Sequence, residues 1–283
     1  MNKQTTALIS AHVSVLLFGA TGLFGKWIQL PSPIIVSGRV FFATLFLLIV
    51  CIALKINLKL KTKKDFFFTL LLGTIWAINL TSFYKSVQVS NVAIASIGFS
   101  TFPIFTTFLE PLFFKQKPNK KDLITAFATT IGILLIIPKF TLGNNITLGA
   151  LYGIVSGLSL ASITVLSKKY SNNYSGFTSA FYQNLVATIV LIPIFSILKP
   201  NITPHDLGLL ALLGTCFSAI PHLLLLLSLK NIKAQTTSII LGLEAVYGIL
   251  LAMILLNETP SLRTILGGTV ILATSAYATF SKN

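Results

Sequence analysis

Residues 234–260 read AQTTSIILGLEAVYGILLAMILLNETP, and the reading of that stretch decides the fold. A single acid, Glu244, stands inside an otherwise apolar run about as long as a bilayer demands. A carboxylate in the middle of a spanning helix is costly, so it is expected to face protein and to mark a pathway or a partner. The chain has only six acids, and most of the others fall at helix ends or in loops. The rest of the sequence reads as the enclosure around Glu244.

Composition agrees with a membrane setting. Hydrophobic residues make up 54% of the chain and charged residues 10%, with a mean hydropathy of +0.87. Ordinary globular domains carry about 25% charged residues, so the class is an all-α polytopic membrane protein. Cys51 and Cys216 both sit in apolar runs, which gives no support to a disulfide framework or a metal site. The formal charge of +15 does not point to nucleic acid, because the lysines cluster between apolar runs and not on a basic face. The first apolar run is longer than a signal-peptide core and lacks a clear cleavage site, so it is expected to stay as a span.

Apolar runs of about 17–25 residues, cut by charge, proline or polar clusters, predict ten spans. They fall at 7–25, 33–54, 66–85, 92–114, 121–138, 147–167, 177–198, 207–228, 235–256 and 262–280. With the N-terminus inside, fifteen of the 21 lysines and arginines lie on the cytoplasmic side, and both termini are expected in the cytoplasm of a cell inner membrane. A shift of 142 residues brings the spans into phase, with Lys26 on Lys168, Ser86 on Ser228 and Pro118 on Pro260. This predicts two inverted five-helix repeats, 1–141 and 142–283, with a substrate site near the midplane between them.

Two five-span halves in a chain of this length resemble the EamA branch of the drug/metabolite transporter superfamily. The likeness is most specific at the end of each half. Ser228-Leu229-Lys230, Leu243-Glu244-Ala245-Val246-Tyr247-Gly248 and Asn257-Glu258-Thr259 follow the family's small-residue helix start, Leu-Glu-Pro-Val stretch and closing Gly-Glu. Ala245 replaces the usual proline and Asn257 the usual glycine, while the first half keeps Pro103 but has Gln116 in place of the closing acid. The resemblance implies an alternating-access secondary transporter of a small polar metabolite, such as an amino acid, moved outward. A multidrug efflux protein is the alternative within transporters. The small multidrug-resistance relatives use an acid in the first span, where this chain has His12. A channel or a non-transporting assembly protein is the reading from another class.

The candidate site residues follow from polarity inside the spans. Glu244 is either a structural carboxyl hydrogen-bonded to neighbouring serines or a proton- or substrate-binding acid. Glu110, near the cytoplasmic end of the fourth span with Lys115 and Lys117 close by, is expected to form a structural ion pair. Arg39 lies near the outer face of the second span and Lys26 at the end of the first. Both are expected to snorkel to the headgroups, with an inward Arg39 that pairs with a substrate carboxylate as the rival. His12 and His222 are expected to be hydrogen-bonded packing residues, with a proton relay as the rival. Asn79, Tyr84, Tyr247, Gln183 and Asn184 either pair across helices or line a polar cavity. Gly149, Gly153 and Gly157 form a smooth stripe for close helix approach, and Pro103, Pro193 and Pro221 can kink their spans. No HExxH, phosphate-binding loop, cysteine–histidine cluster or nucleotide domain is found, so enzyme chemistry, metals and cofactors are not expected. The expected partners are the solute and the lipid bilayer, and the protein is expected to act as a monomer or homodimer.

Overall fold

The computed structural model describes residues 3–114, 120–136, 144–170, 174–229 and 243–280, and these fold as helices with no strand among them. In chain order they are α1 (Lys3–Gly19), α2 (Thr21–Trp27), α3 (Ser32–Ala53), α4 (Lys63–Val89), α5 (Val92–Phe99), α6 (Phe102–Phe114) and α7 (Lys120–Ile136). Then come α8 (Asn145–Tyr170), α9 (Gly176–Leu198), α10 (Pro204–Gly214), a π-turn (Thr215–Ala219), α11 (Ile220–Leu229), α12 (Glu244–Leu255) and α13 (Leu262–Phe280).

Among the described residues, seven segments are long and apolar enough to cross a membrane: Thr5–Trp27, Ser32–Ala53, Lys63–Val89, Val92–Phe113, Asn145–Ser167, Gly176–Leu198 and Pro204–Leu224. They match the first four and the sixth to eighth predicted spans. At the other three positions the described helices are α7, α12 and α13, of which α12 has 12 residues and α7 has 17. Residues 235–242 of the predicted ninth span lie outside the described residues.

The helices carry apolar side chains on both faces. On α3, Phe41, Leu45, Ile49 and Ile52 recur at helical spacing and point outward, Ile49 and Ile52 being 65% and 68% exposed. Val36, Arg39, Val40, Ala43, Leu47 and Cys51 line the opposite, buried face. An outward stripe of bare leucine and isoleucine suits hydrocarbon, not water.

Among the described residues, three of the predicted spans are interrupted. The first breaks at Ala20, between α1 and α2. The fourth breaks at Ser100-Thr101, where the Ser100 hydroxyl donates to the Ser96 carbonyl at 2.8 Å and the Thr101 hydroxyl to Gly98 at 2.7 Å. The same carbonyls also accept from the Ser100 N–H at 3.0 Å and the Thr101 N–H at 3.2 Å, so the hydroxyls are satisfied within the break itself. Pro103 therefore stands in the first turn of α6, where its missing N–H costs nothing. The eighth span widens into the π-turn immediately before Pro221. Proline cannot donate to the carbonyl four residues back, and its ring crowds that carbonyl. The wider turn relieves the crowding, with the Ile220 N–H reaching Thr215.

Small residues set the crossings. At Gly98 an added Cβ would lie 2.9 Å from the Gly153 Cα, and at Gly153 one would lie 3.0 Å from the Gly98 Cα, so α5 and α8 meet backbone to backbone. The expected glycine stripe of α8 is thus a packing surface. A second close approach brings α1 onto α12, where a Cβ at Gly19 would meet the Glu244 carbonyl oxygen and the Gly248 nitrogen at 2.9 Å.

Helix starts are capped by sequence-local bonds. Before α4, the Thr62 hydroxyl accepts from the Asp65 N–H at 3.1 Å while Asp65 accepts from the Thr62 N–H at 2.9 Å. Tyr174 adds a bond to the same carboxylate at 2.8 Å, tying the α3–α4 connection to the start of α9. Thr203 and Asp206 repeat the box before α10. Thr62→Ala is expected to cost about 1 kcal/mol, the usual loss on deleting a helix cap. It would register as a lower melting temperature with solute binding unchanged.

Candidate functional site

The π-turn, the break in the first span, the buried face of α3 and the first turn of α12 converge on one polar cluster. Arg39 is its centre. Its Nε donates to the Ser218 hydroxyl at 2.7 Å and its Nη1 to the Tyr84 hydroxyl at 3.4 Å, and its guanidinium carbon lies 5.8 Å from the Tyr84 ring centroid. Tyr84 is fully buried and donates onward to the Thr21 carbonyl at 3.1 Å, beside the Ala20 break. Ser218 donates to the Leu213 carbonyl at 2.8 Å, five residues back, as the π-turn geometry dictates.

This corrects the expectation that Arg39 reaches the headgroups. The residue is 5% exposed and turns inward. It lies seven residues from the Ser32 end of α3, or roughly 10 Å at about 1.5 Å per residue. The inward face supplies three stabilising contacts: two hydroxyl acceptors and an aromatic face. Lys26 likewise does not snorkel: its ammonium donates to the Ser90 carbonyl at 2.9 Å and lies 3.8 Å from the Glu258 carboxylate.

Glu244 stands in the first turn of α12, half-buried, where the positive end of a helix favours a carboxylate. Counted from Leu255 it is eleven residues, or about 16 Å, into the layer. The charge of Arg39 acts on it through space, although no ion pair within 4 Å joins the two among the described residues.

The other predicted residues divide. His12 and Tyr247 come together, with the His12 Nδ1 and the Tyr247 hydroxyl 3.3 Å apart across the α1–α12 crossing, one turn beyond Glu244. His222 follows Pro221 on α11, which packs against α1; the Ser14 hydroxyl donates to the Pro221 carbonyl at 2.6 Å. Asn79 does not join the cluster. Its amide donates to the Ser156 carbonyl at 2.6 Å and hydroxyl at 3.1 Å, binding α4 to α8. Asn184 accepts from the Trp76 indole at 3.3 Å, so it too pairs across helices. Gln183 lines a cleft with Asp65, Phe68, Tyr174 and Tyr182, beside the start of α4. The Glu110 side chain lies outside the described residues.

Two polar groups escaped the sequence reading. Ser218 is one serine among many until the π-turn aims it at Arg39, and the adjacent Pro221 is the available signal. Thr81, one turn before Tyr84 on the same helix face, carries a buried hydroxyl with no partner among the described residues. Such a group suits a polar ligand.

Above the cluster, Leu23, Phe24, Ile28, Ile34, Ile35, Val87, Val92 and Leu213 form a continuous buried core. The Phe24 ring lies 5.0 Å from that of Phe217. This end of the bundle is therefore shut by packed apolar side chains.

The model of the EamA-like transporter family matches residues 5–137 and again residues 147–280. An uncharacterized transporter of Bacillus subtilis is 27% identical over 276 residues, covering 96% of this chain and 88% of its own. An S-adenosylmethionine uptake transporter of Rickettsia conorii is 24% identical over 272 residues, covering 95% and 91%. Human solute carrier family 35 member G1 is 22% identical over 284 residues, covering 95% and 78%. A solved crystal structure superposes with a TM-score of 0.69 over 97% of this chain and 98% of that one, at 12% identity, which speaks for the fold alone.

Proposed function

The chain belongs to the EamA-like transporter family, and from that premise we propose that it is an alternating-access carrier of a small polar metabolite, an amino acid or related organic solute exported from the cytoplasm. The observation that carries this reading is Arg39, buried against Ser218 and Tyr84 and within electrostatic reach of Glu244. An amino-acid zwitterion has a carboxylate for a guanidinium and an ammonium for a carboxylate. Interrupted helices at mid-depth are the usual construction of such a site in secondary transporters.

Ten spans in two inverted halves complete the proposal. The two matches of the family model support it, as do the two Thr–Asp capping boxes that open the third and eighth predicted spans. Helix pairing supports it as well. α4 on α8 is answered by α11 on α1, α4 on α9 by α10 on α3, and α6 on α8 by α12 on α1. Each pair maps onto the other when the halves are exchanged. The lysine distribution supports cytoplasmic termini in an inner membrane.

Relatives named for S-adenosylmethionine uptake favour a second reading, in which the solute is S-adenosylmethionine and moves inward. That molecule also carries an amino-acid zwitterion, so the same charged pair would serve it. Thermal stabilisation of the purified protein separates the readings, because a ligand of the folded state raises its melting temperature by mass action. An amino acid or S-adenosylmethionine is expected to stabilise the wild type, and Glu244→Gln to weaken the shift at least tenfold in ligand concentration. Stabilisation by cationic dyes alone would transfer the case to multidrug efflux. An equal shift in Glu244→Gln would make the acid structural.

A further inference from the structure

Among the described residues, no hydrogen bond or ion pair joins Glu258 to Arg39, Tyr84 or Ser218; Glu258 stands at the end of the bundle shut by the apolar core, and it makes two contacts at once. Its Oε1 is 3.8 Å from the Lys26 ammonium, and its Oε2 accepts from the Val92 N–H at 3.0 Å. Lys26 in turn donates to the Ser90 carbonyl at 2.9 Å. Ser90 closes α4 and Val92 opens α5, so one charged pair grips the turn between the third and fourth spans from both sides. Lys26 belongs to the end of the first span, and Glu258 follows the ninth.

The position of Glu258 is held by the backbone. Asn257 adopts a left-handed conformation with φ of 54°, and the Glu258 N–H donates to the Ala252 carbonyl at 3.3 Å. This folds the chain back at the end of α12 and brings the carboxylate over Val92. Both charged side chains keep partial access to solvent, 28% for Lys26 and 21% for Glu258. The pair is thus a seal at the rim, above buried Val87, Val92 and Phe24, and not a core element.

Resting on the carrier reading, we propose that Lys26 and Glu258 form a latch that holds this end of the bundle closed and must part once per transport cycle. Alternating access requires the end to open. The contacts that opening would break are those of α2 and α12 on α5 and of α2 on α4, which the latch spans. A partly exposed pair at 3.8 Å is individually weak, which suits a contact that must release. Its two backbone bonds give it direction, since the carboxylate is bound only when the α4–α5 turn sits against the first span. Lys26 and Glu258 act here as positioning residues and touch no solute.

Accessibility beneath the latch tests this. Val87 is fully buried, and a Cβ added at Gly25 would meet its side chain at 2.9 Å. In a background with Cys51→Ser and Cys216→Ser, Val87→Cys is alkylated by a polar maleimide in detergent, where no solute and no membrane orientation enter. Glu258→Gln, which keeps an amide oxygen for the Val92 N–H, and Lys26→Met are each expected to raise the alkylation rate at least fivefold. Thr62→Ala is the control. It removes the cap that accepts from the Asp65 N–H at 3.1 Å, loosening the opposite end of α4 without touching the pair or the turn it grips, and is expected to change the rate less than twofold. Melting temperatures confirm that each variant is folded. Unchanged alkylation in folded Glu258→Gln and Lys26→Met overturns the latch, and so does an equal increase in Thr62→Ala. Failure of the carrier reading would show separately, as absence of solute flux in proteoliposomes.

Discussion

Arg39→Met is expected to abolish saturable solute binding and to reduce flux at least about a hundredfold, the equivalent of roughly 2.7 kcal/mol, while leaving the fold nearly intact. The second part follows from the partners. Ser218 keeps its bond to the Leu213 carbonyl and Tyr84 keeps its bond to Thr21, so neither hydroxyl is stranded when the guanidinium goes. Removing a charge from a low-dielectric interior also relieves a desolvation cost. A structural arginine would behave differently, with loss of melting temperature in proportion to loss of function. Arg39→Lys preserves the charge but not the planar fork, and is expected to fall between the two. Solute titration beside a melting curve for each variant checks the separation.

Gly153→Leu is the largest expected effect on stability. A Cβ at this position lies 3.0 Å from the Gly98 Cα and 3.2 Å from the Ala95 carbonyl oxygen, and neither neighbour is a side chain that could swing away. Overpacking of a core costs typically about 1–3 kcal/mol when side chains can adjust, and the loss is expected at or above the upper figure here. The helices α5 and α8 would have to separate, and α6 and α4 pack on the same α8. Size-exclusion profiles and thermal melting would show an aggregated or strongly destabilised protein. Gly153→Ala, one carbon larger than wild type, is expected to fold with a lowered melting temperature. A fully stable Gly153→Leu would mean that the α5–α8 crossing is looser than described.

How far the sequence could be read depends on what lipid does to pattern. Hydropathy located the long helices, because hydrocarbon thickness fixes both their length and their composition. The stripe at Gly149, Gly153 and Gly157 was legible for a similar reason, since small residues four apart share one face. Facing was not legible. On α3 the outward Phe41, Leu45 and Ile49 are as apolar as the inward Val40, Ala43 and Leu47, so periodicity has no contrast to report. Depth alone therefore put Arg39 near the headgroups, and the two hydroxyls that turn it inward come from helices 45 and 179 residues away. The Lys26–Glu258 pair was hidden in the same way. The π-turn had a local cause in Pro221, but a proline in a span announces a disturbance and not its shape. Asn79 was ambiguous because an amide that joins two helices and one that lines a cavity look alike in sequence.

The most direct test of the carrier is solute exchange in proteoliposomes, with radiolabelled amino acids and S-adenosylmethionine as a panel. A carrier carries solute in each half-cycle, so unlabelled solute inside is expected to accelerate entry of the label from outside, with saturation, and Arg39→Met is expected to remove the acceleration. Flux that rises linearly with solute and ignores the far side would contradict alternating access and indicate a channel. Exchange that persists undiminished in Arg39→Met would contradict the site.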